Sequence, residues 1–103
     1  MIAVQIAGII AEYVVLLELA GEEDINPDTA ADMSEALGAR LAELDHKFLR
    51  ELIDAFAVVA DEYSGDARQF VLDIPYHFEL EEVLAADDPV RLAELEAIRD
   101  ARG

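Results

Sequence analysis

The longest apolar run in the chain is its first segment, Ile2 to Ala20, in which only three residues are plainly polar. At about 100° per residue, most of its large side chains share one broad helical face. That face comprises Ile2, Ile6, Ile9, Ile10, Tyr13, Val14, Leu16 and Leu17. Because this apolar arc is wider than the stripe of an ordinary surface helix, the pattern predicts a helix at the centre of the domain.

The other side of this helix is mixed, with apolar residues lying among polar ones. The apolar members are Val4, Val15 and Leu19. If the remaining helices do not cover these three side chains, a second copy of the chain is expected to do so. The sequence therefore predicts a homodimer with Val4, Val15 and Leu19 at its interface.

The same run is long enough to suggest a membrane span, but its charges argue against one. Glu12 lies near its middle, and a carboxylate at bilayer depth costs about 3 kcal/mol. No Lys or Arg occurs before Arg40, so the basic flank of a signal peptide or a membrane anchor is missing. We expect a cytoplasmic protein with no membrane partner.

Asn26 and Pro27 predict the next helix start, because Asn is a good N-cap and Pro suits the first helical position. Apolar residues then recur at helical spacing throughout 29–63. One unbroken helix would span roughly 54 Å, which is long for a compact chain with a radius of gyration near 13 Å. A break near 44–46, capped by Asp45, is therefore favoured over one long helix in a hairpin dimer.

The second half of the chain carries two more start signals. Ser64, Gly65 and Asp66 predict a stop and a restart, with Asp66 as the cap, and Asp88-Pro89 begins the last helix. Residues 74–81 alternate between apolar and polar, but no second strand is available for them to pair with. We predict an irregular or extended segment there, leading into a short helix around Glu81–Ala85.

These elements predict one all-α domain over residues 1–103, a compact bundle of four or five antiparallel helices around the N-terminal helix. The chain has a net charge of −17, and its first 39 residues hold eight acids and no base. Phosphate backbones repel such a chain, which argues against nucleic-acid binding, whereas a basic protein attracts it. The simpler alternative is that the charge only keeps the protein soluble.

Two patterns of acidic residues resemble known metal-binding motifs. Asp24, Asn26, Asp28, Asp32 and Glu35 fall at ligand positions of the EF-hand calcium loop, which residues 24–35 of the acidic loop 22–35 resemble, but Thr29 replaces the turn glycine.

The second pattern is Glu-x-x-His at Glu43 and His46, a spacing used in di-iron bundles. The second Glu-x-x-His copy that such bundles need is absent. An alternative function is a bundle that binds a metal or small ligand through Glu12, Glu43 and His46.

No residue pattern predicts catalysis. The chain has no Cys, no phosphate-binding glycine loop and no serine in a nucleophile context, so we expect no enzyme activity and no cofactor. One cluster combines aromatic rings with acids, as partner-binding anchors do, although its rings also suit the end of a core. It comprises Tyr76, His77, Phe78, Glu79, Glu81 and Glu82.

The sequence thus favours a non-enzymatic protein that acts through protein–protein contact. In size, acidity and helical content it resembles small acidic immunity proteins, a resemblance of class that no shared motif carries. That resemblance implies an immunity- or antitoxin-like inhibitor of a basic partner. A purely structural homodimer is the remaining alternative.

Overall fold

In a computed structural model, which describes residues 2–21 and 23–103, the chain is all α-helical and contains no strand within those ranges. The predicted fold class is confirmed. The helices are α1 (Ile2–Leu19), α2 (Pro27–Ala42), α3 (His46–Val59), α4 (Gly65–Leu72), α5 (Ile74–His77), α6 (Leu80–Leu84) and α7 (Pro89–Arg102), with a 3-10 turn (Ala60–Glu62) after α3.

Three of the predicted caps are present and make the expected hydrogen bonds. Asn26 Oδ1 accepts from the Asp28 N–H at 2.8 Å, which starts α2. Asp45 Oδ2 accepts from the Phe48 N–H at 3.1 Å, and Asp88 Oδ1 accepts from the Arg91 N–H at 3.1 Å. The predicted break near 44–46 is confirmed, since α2 ends three residues before Asp45.

Two local predictions are wrong. The cap position before α4 is Ser64, and Asp66 lies inside the first turn of that helix. The segment predicted to be irregular or extended before the short helix instead contains α5, and only 78–79 form a turn. The short helix predicted around Glu81–Ala85 is present as α6. Pro75 occupies an early position of α5, where its missing N–H removes no helical bond. The Phe78 N–H reaches the Ile74 carbonyl at 3.1 Å, so local hydrogen bonds satisfy this backbone without a partner strand.

The core forms where α1 packs against α3 and α4, but α1 presents a different face from the one predicted. Its buried residues are Ala3, Ala7, Ile10, Ala11 and Val14. Leu49, Leu52, Phe56 and Val59 of α3 complete the core.

The predicted core residues Ile2, Ile9 and Leu16 are instead 70%, 65% and 59% exposed. The buried face is therefore rotated by roughly a quarter turn from the prediction. The alanines explain the rotation, because small side chains let a neighbouring helix approach closely and bring its own large side chains into contact.

Among the described helices, α1 alone is long and apolar enough to cross a bilayer. Core helices of soluble proteins and N-terminal signal sequences pass the same test of length and composition. In the structure the alanine face of α1 packs against α3 and α4.

Candidate partner-binding groove

A groove of about 680 Å³ separates α2 from the rest of the bundle. Three parts of the chain line it: the end of α1, the α1–α2 loop with α2, and the turn between α5 and α6. The residues are Leu17, Glu18, Ala20, Ile25, Pro27, Ala30, Ala31, Ser34, Glu35, Gly38, Ala39, His77, Phe78 and Glu79.

The groove exists because α2 turns small residues towards the bundle. Ala30, Ser34 and Gly38 lie on its inner face and are too small to fill the space beside α1. Only the ring of Phe78 bridges the gap closely. A Cβ added at Gly38 would lie 2.9 Å from Phe78 Cδ1, so the glycine is what admits the ring.

The floor of the groove is apolar and its rim is acidic. The exposed carboxylates of Glu18, Glu35 and Glu79 stand on three sides, and no Lys or Arg is among the described residues that line it. None of these three carboxylates lies within ion-pair distance of a cation in the described part of the chain. The rim charge is therefore available to an outside partner.

Glu79 has the one left-handed backbone conformation of a non-glycine residue in the described ranges, with φ 55° and ψ 38°. It forms the corner between α5 and α6. Its N–H reaches the Tyr76 carbonyl at 3.2 Å and its carbonyl accepts from the Val83 N–H at 3.1 Å. Holding a residue with a Cβ in this region costs about 1 to 2 kcal/mol, and such strain is common at functional sites.

Only half of the predicted aromatic and acidic cluster faces the groove: His77, Phe78 and Glu79. The rings of His77 and Phe78 meet edge to face, with centroids 4.8 Å apart. The other half, Tyr76, Glu81 and Glu82, is engaged within the protein by arginine side chains.

Those arginines come from α3 and α7. Glu81 pairs with Arg50 and, at 3.5 Å, with Arg91. Glu82 accepts from Arg99 at 2.7 Å, and this hydrogen bond is the main cause of a raised pKa at Arg99.

The Tyr76 ring lies against two guanidinium groups, with the Cζ of Arg99 4.0 Å and the Cζ of Arg102 3.7 Å from its centroid. Tyr76, Glu81 and Glu82 therefore attach α7 to the bundle. The assignment of all six residues to a partner surface stays a prediction, and in the free protein Tyr76, Glu81 and Glu82 already have partners within the chain.

The two proposed metal sites do not form. Residues 27–35 belong to α2, so most of the calcium-loop positions lie along a helix and cannot wrap around an ion. In the described ranges no three His, Asp or Glu side chains lie close enough together to hold a metal ion.

Glu12, Glu43 and His46 are separated by the length of α3. Glu12 lies close enough to Tyr63 to raise the phenol pKa, whereas His46 begins α3, whose 14 residues span roughly 20 Å before the 3-10 turn that precedes Tyr63. Glu43 and His46 have the Glu-x-x-His spacing, but no third His, Asp or Glu of the described residues lies close enough to complete a metal site with them.

The predicted dimer residues lie in two different environments. Val4 and Val15 are half-buried against the core, whereas Leu19 is 55% exposed. Ile2, Ile9 and Leu16 share the exposed side with Leu19, although the sequence pattern placed them in the core. Their seven-residue spacing is typical of a helix that pairs with another helix.

Comparison with known protein families, characterised proteins and solved structures finds no match to this chain.

Proposed function

We propose that this chain is a non-enzymatic binding protein that captures a basic segment of another protein in the groove beside α2. The observation that carries the proposal is the apolar floor with an acidic rim that has no internal ion pair. An amphipathic segment with Lys or Arg along its edges complements both features.

Each part of the groove has a distinct energetic role. Leu17, Ile25 and Phe78 offer apolar surface, which supplies most of the affinity when a partner side chain covers it. Glu18, Glu35 and Glu79 are exposed, so each ion pair adds only about 0.2 to 1 kcal/mol. Their main effect is on the association rate and on the choice of partner.

Inhibition of a basic partner protein is the biological use that this groove suits best. A basic surface that normally binds an anionic substrate is blocked when an acidic protein occupies it. The uneven charge of the chain supports this use, because eight acids and no base precede Arg40, and six of the eight belong to the α1–α2 loop and α2 beside the groove. The field on that side is therefore strongly negative.

The test uses a synthetic helical peptide with Leu on one face and Lys on its edges, labelled for fluorescence anisotropy. We expect the triple variant Glu18→Gln/Glu35→Gln/Glu79→Gln to bind about tenfold more weakly than the wild type. Raising salt from about 50 to about 300 mM should weaken wild-type binding and leave the variant nearly unchanged.

The matched control is Glu51→Gln/Glu62→Gln/Glu96→Gln, which removes the same charge at exposed positions that do not line the groove. It should bind like the wild type. If the control loses as much affinity as the groove variant, net charge alone attracts the peptide and the proposed site is wrong.

A further inference from the structure

The exposed side of α1 carries large apolar residues at a regular spacing. Ile2, Ile9 and Leu16 are seven residues apart, and Leu19 follows three residues after Leu16. All four are more than half exposed. Together with Gln5 and Glu12 they form a straight seam at positions 2, 5, 9, 12, 16 and 19, the alternating three- and four-residue spacing of a helix that pairs with another helix.

This seam adjoins an apolar groove between α1 and α2 of about 350 Å³. Ile9 belongs to both features, and Tyr13, Met33 and Leu37 line the groove. A two-fold axis across this surface sets α1 of each copy beside α1 of the other and brings the groove that flanks each seam to the edge of the same contact.

The charge of the seam indicates the kind of occupant. In a chain of net charge −17, Glu12 is the only ionised residue of the seam. The seam therefore offers little to a basic partner, which is attracted to the acidic side instead. An equally apolar surface is the complementary occupant, and the same seam on a second copy provides one.

The exposed apolar area of the seam can be compared with the area that a specific protein interface buries. A Leu or Ile side chain carries on the order of 100 Å² of apolar surface, so the four seam residues expose roughly 250 Å² at the given fractions. Specific interfaces bury at least about 600 Å² on each partner. The seam alone is too small, so an interface of that size also covers flanking residues of α1 and α2, among them the lining of the α1–α2 groove and Arg40 at its edge.

We infer that two copies of this chain form an antiparallel α1–α1 dimer through the seam and the α1–α2 groove. A parallel pair would set Glu12 against Glu12 of the second copy. The antiparallel register sets Ile2 against Leu19, Gln5 against Leu16 and Ile9 against Glu12 of the second copy, which staggers the two carboxylates along the helix pair.

Sedimentation velocity over roughly 5 to 500 µM tests the dimer, since this range covers the affinities of weak to moderate self-association. Ile9→Glu should be monomeric throughout this range. The matched control Val58→Glu alters a residue that is 57% exposed on the outer side of α3, away from α1, and should dimerise like the wild type. Circular dichroism checks that both variants fold.

Two further variants separate this interface from a merely structural effect of α1. Ala36 lines the α1–α2 groove from the exposed side of α2. The variant Ala36→Glu should therefore weaken the dimer without disturbing the core. Glu12→Leu removes the staggered carboxylates and should tighten the dimer about tenfold. If the seam only supported the fold of α1, Glu12→Leu would not tighten the dimer.

Salt distinguishes this dimer from peptide capture. Two chains of net charge −17 repel each other, so raising salt from about 50 to about 500 mM should strengthen dimerisation. The groove variant Glu18→Gln/Glu35→Gln/Glu79→Gln should still dimerise, so either proposal can fail without the other.

A wild type that stays monomeric at the highest concentration and salt would overturn the dimer. So would an Ile9→Glu variant that associates like the wild type. Ile9-dependent binding of a monomer to zwitterionic phosphatidylcholine vesicles would identify a membrane surface as the occupant instead.

Discussion

Arg99 and Glu82 join α7 to α6 through two hydrogen bonds to a single carboxylate oxygen. Arg99 Nε lies 3.1 Å and Nη2 lies 2.7 Å from Glu82 Oε2, and Nη2 also donates to the Tyr76 carbonyl at 3.0 Å. The Arg99 side chain is 30% exposed and the Glu82 side chain is 25% exposed, so both are largely buried. This is the main polar attachment of the last helix.

Arg99→Ala should therefore lower the free energy of unfolding by about 1 to 2 kcal/mol, since it removes three hydrogen bonds in a partly screened site. Urea titration followed by circular dichroism measures the loss. Arg40→Ala is the control, because Arg40 is 85% exposed and 3.8 Å from Glu43, and it should cost less than about 0.5 kcal/mol. Equal losses in the two variants would contradict the proposed attachment.

Gly38 and Gly8 make a matched pair of helical glycines. Gly8→Ala meets no atom within 4 Å and should raise the free energy of unfolding by about 0.5 to 1 kcal/mol through helix propensity. Gly38→Ala meets the Phe78 ring at 2.9 Å and should be destabilising despite the same propensity gain. Urea titration measures both.

The double variant Gly38→Ala/Phe78→Leu tests the cause of that loss. Adding Gly38→Ala to Phe78→Leu should recover the propensity gain, because the ring that the Cβ meets is gone. If Gly38→Ala stabilises the wild type as much as Gly8→Ala does, then Phe78 moves aside easily and the close contact does not shape the groove.

Replacing Glu79 by Gly should raise the stability of the fold and lower the affinity for the basic peptide. Glu79→Gly relieves the left-handed backbone and should raise the free energy of unfolding by about 1 kcal/mol. Glu79→Ala keeps a Cβ and should bring no such gain. Both variants remove a rim carboxylate and should weaken binding of the basic peptide. A Glu79→Gly variant no more stable than Glu79→Ala would show that the backbone conformation is not strained.

Tyr63 should titrate at higher pH than an ordinary tyrosine. Burial raises its pKa, and the carboxylates of Glu12 and Glu62 raise it further by disfavouring a second negative charge nearby. The folded state then holds the phenol proton more tightly than the unfolded state, whose pKa is about 10. This stabilising contribution is complete below that pH and is lost as the pH rises through the folded-state pKa.

Tyrosinate absorbance during an alkaline titration checks the direction of the shift. Tyr63→Phe should remove a high-pH component, and Glu12→Gln should move that component towards the ordinary value. Urea titrations at about pH 9 and about pH 11 should show less alkaline destabilisation in Tyr63→Phe than in the wild type. A Tyr63 component with the pKa of a solvent-exposed phenol would contradict the assignment.

The candidate site was only partly predictable. The sequence marked residues 76–82 as an aromatic and acidic cluster, and His77, Phe78 and Glu79 do line the groove. It gave no sign that Glu81 and Glu82 are paired with arginines from α3 and α7, because those residues are 10 to 31 positions away. Ion pairs across such distances depend on how helices pack, which periodicity does not report.

Local signals in the sequence determined the helical class, the starts of α2, α3 and α7, and the break before α3. Asn26, Asp45 and Asp88 succeed as indicators because a cap acts on N–H groups two or three residues away. Only the tertiary structure decided which side of α1 enters the core. Hydrophobicity favoured the large side chains of Ile2, Ile9 and Leu16, but close helix packing favoured the alanines, because the side chains of α3 already fill the space between the helices.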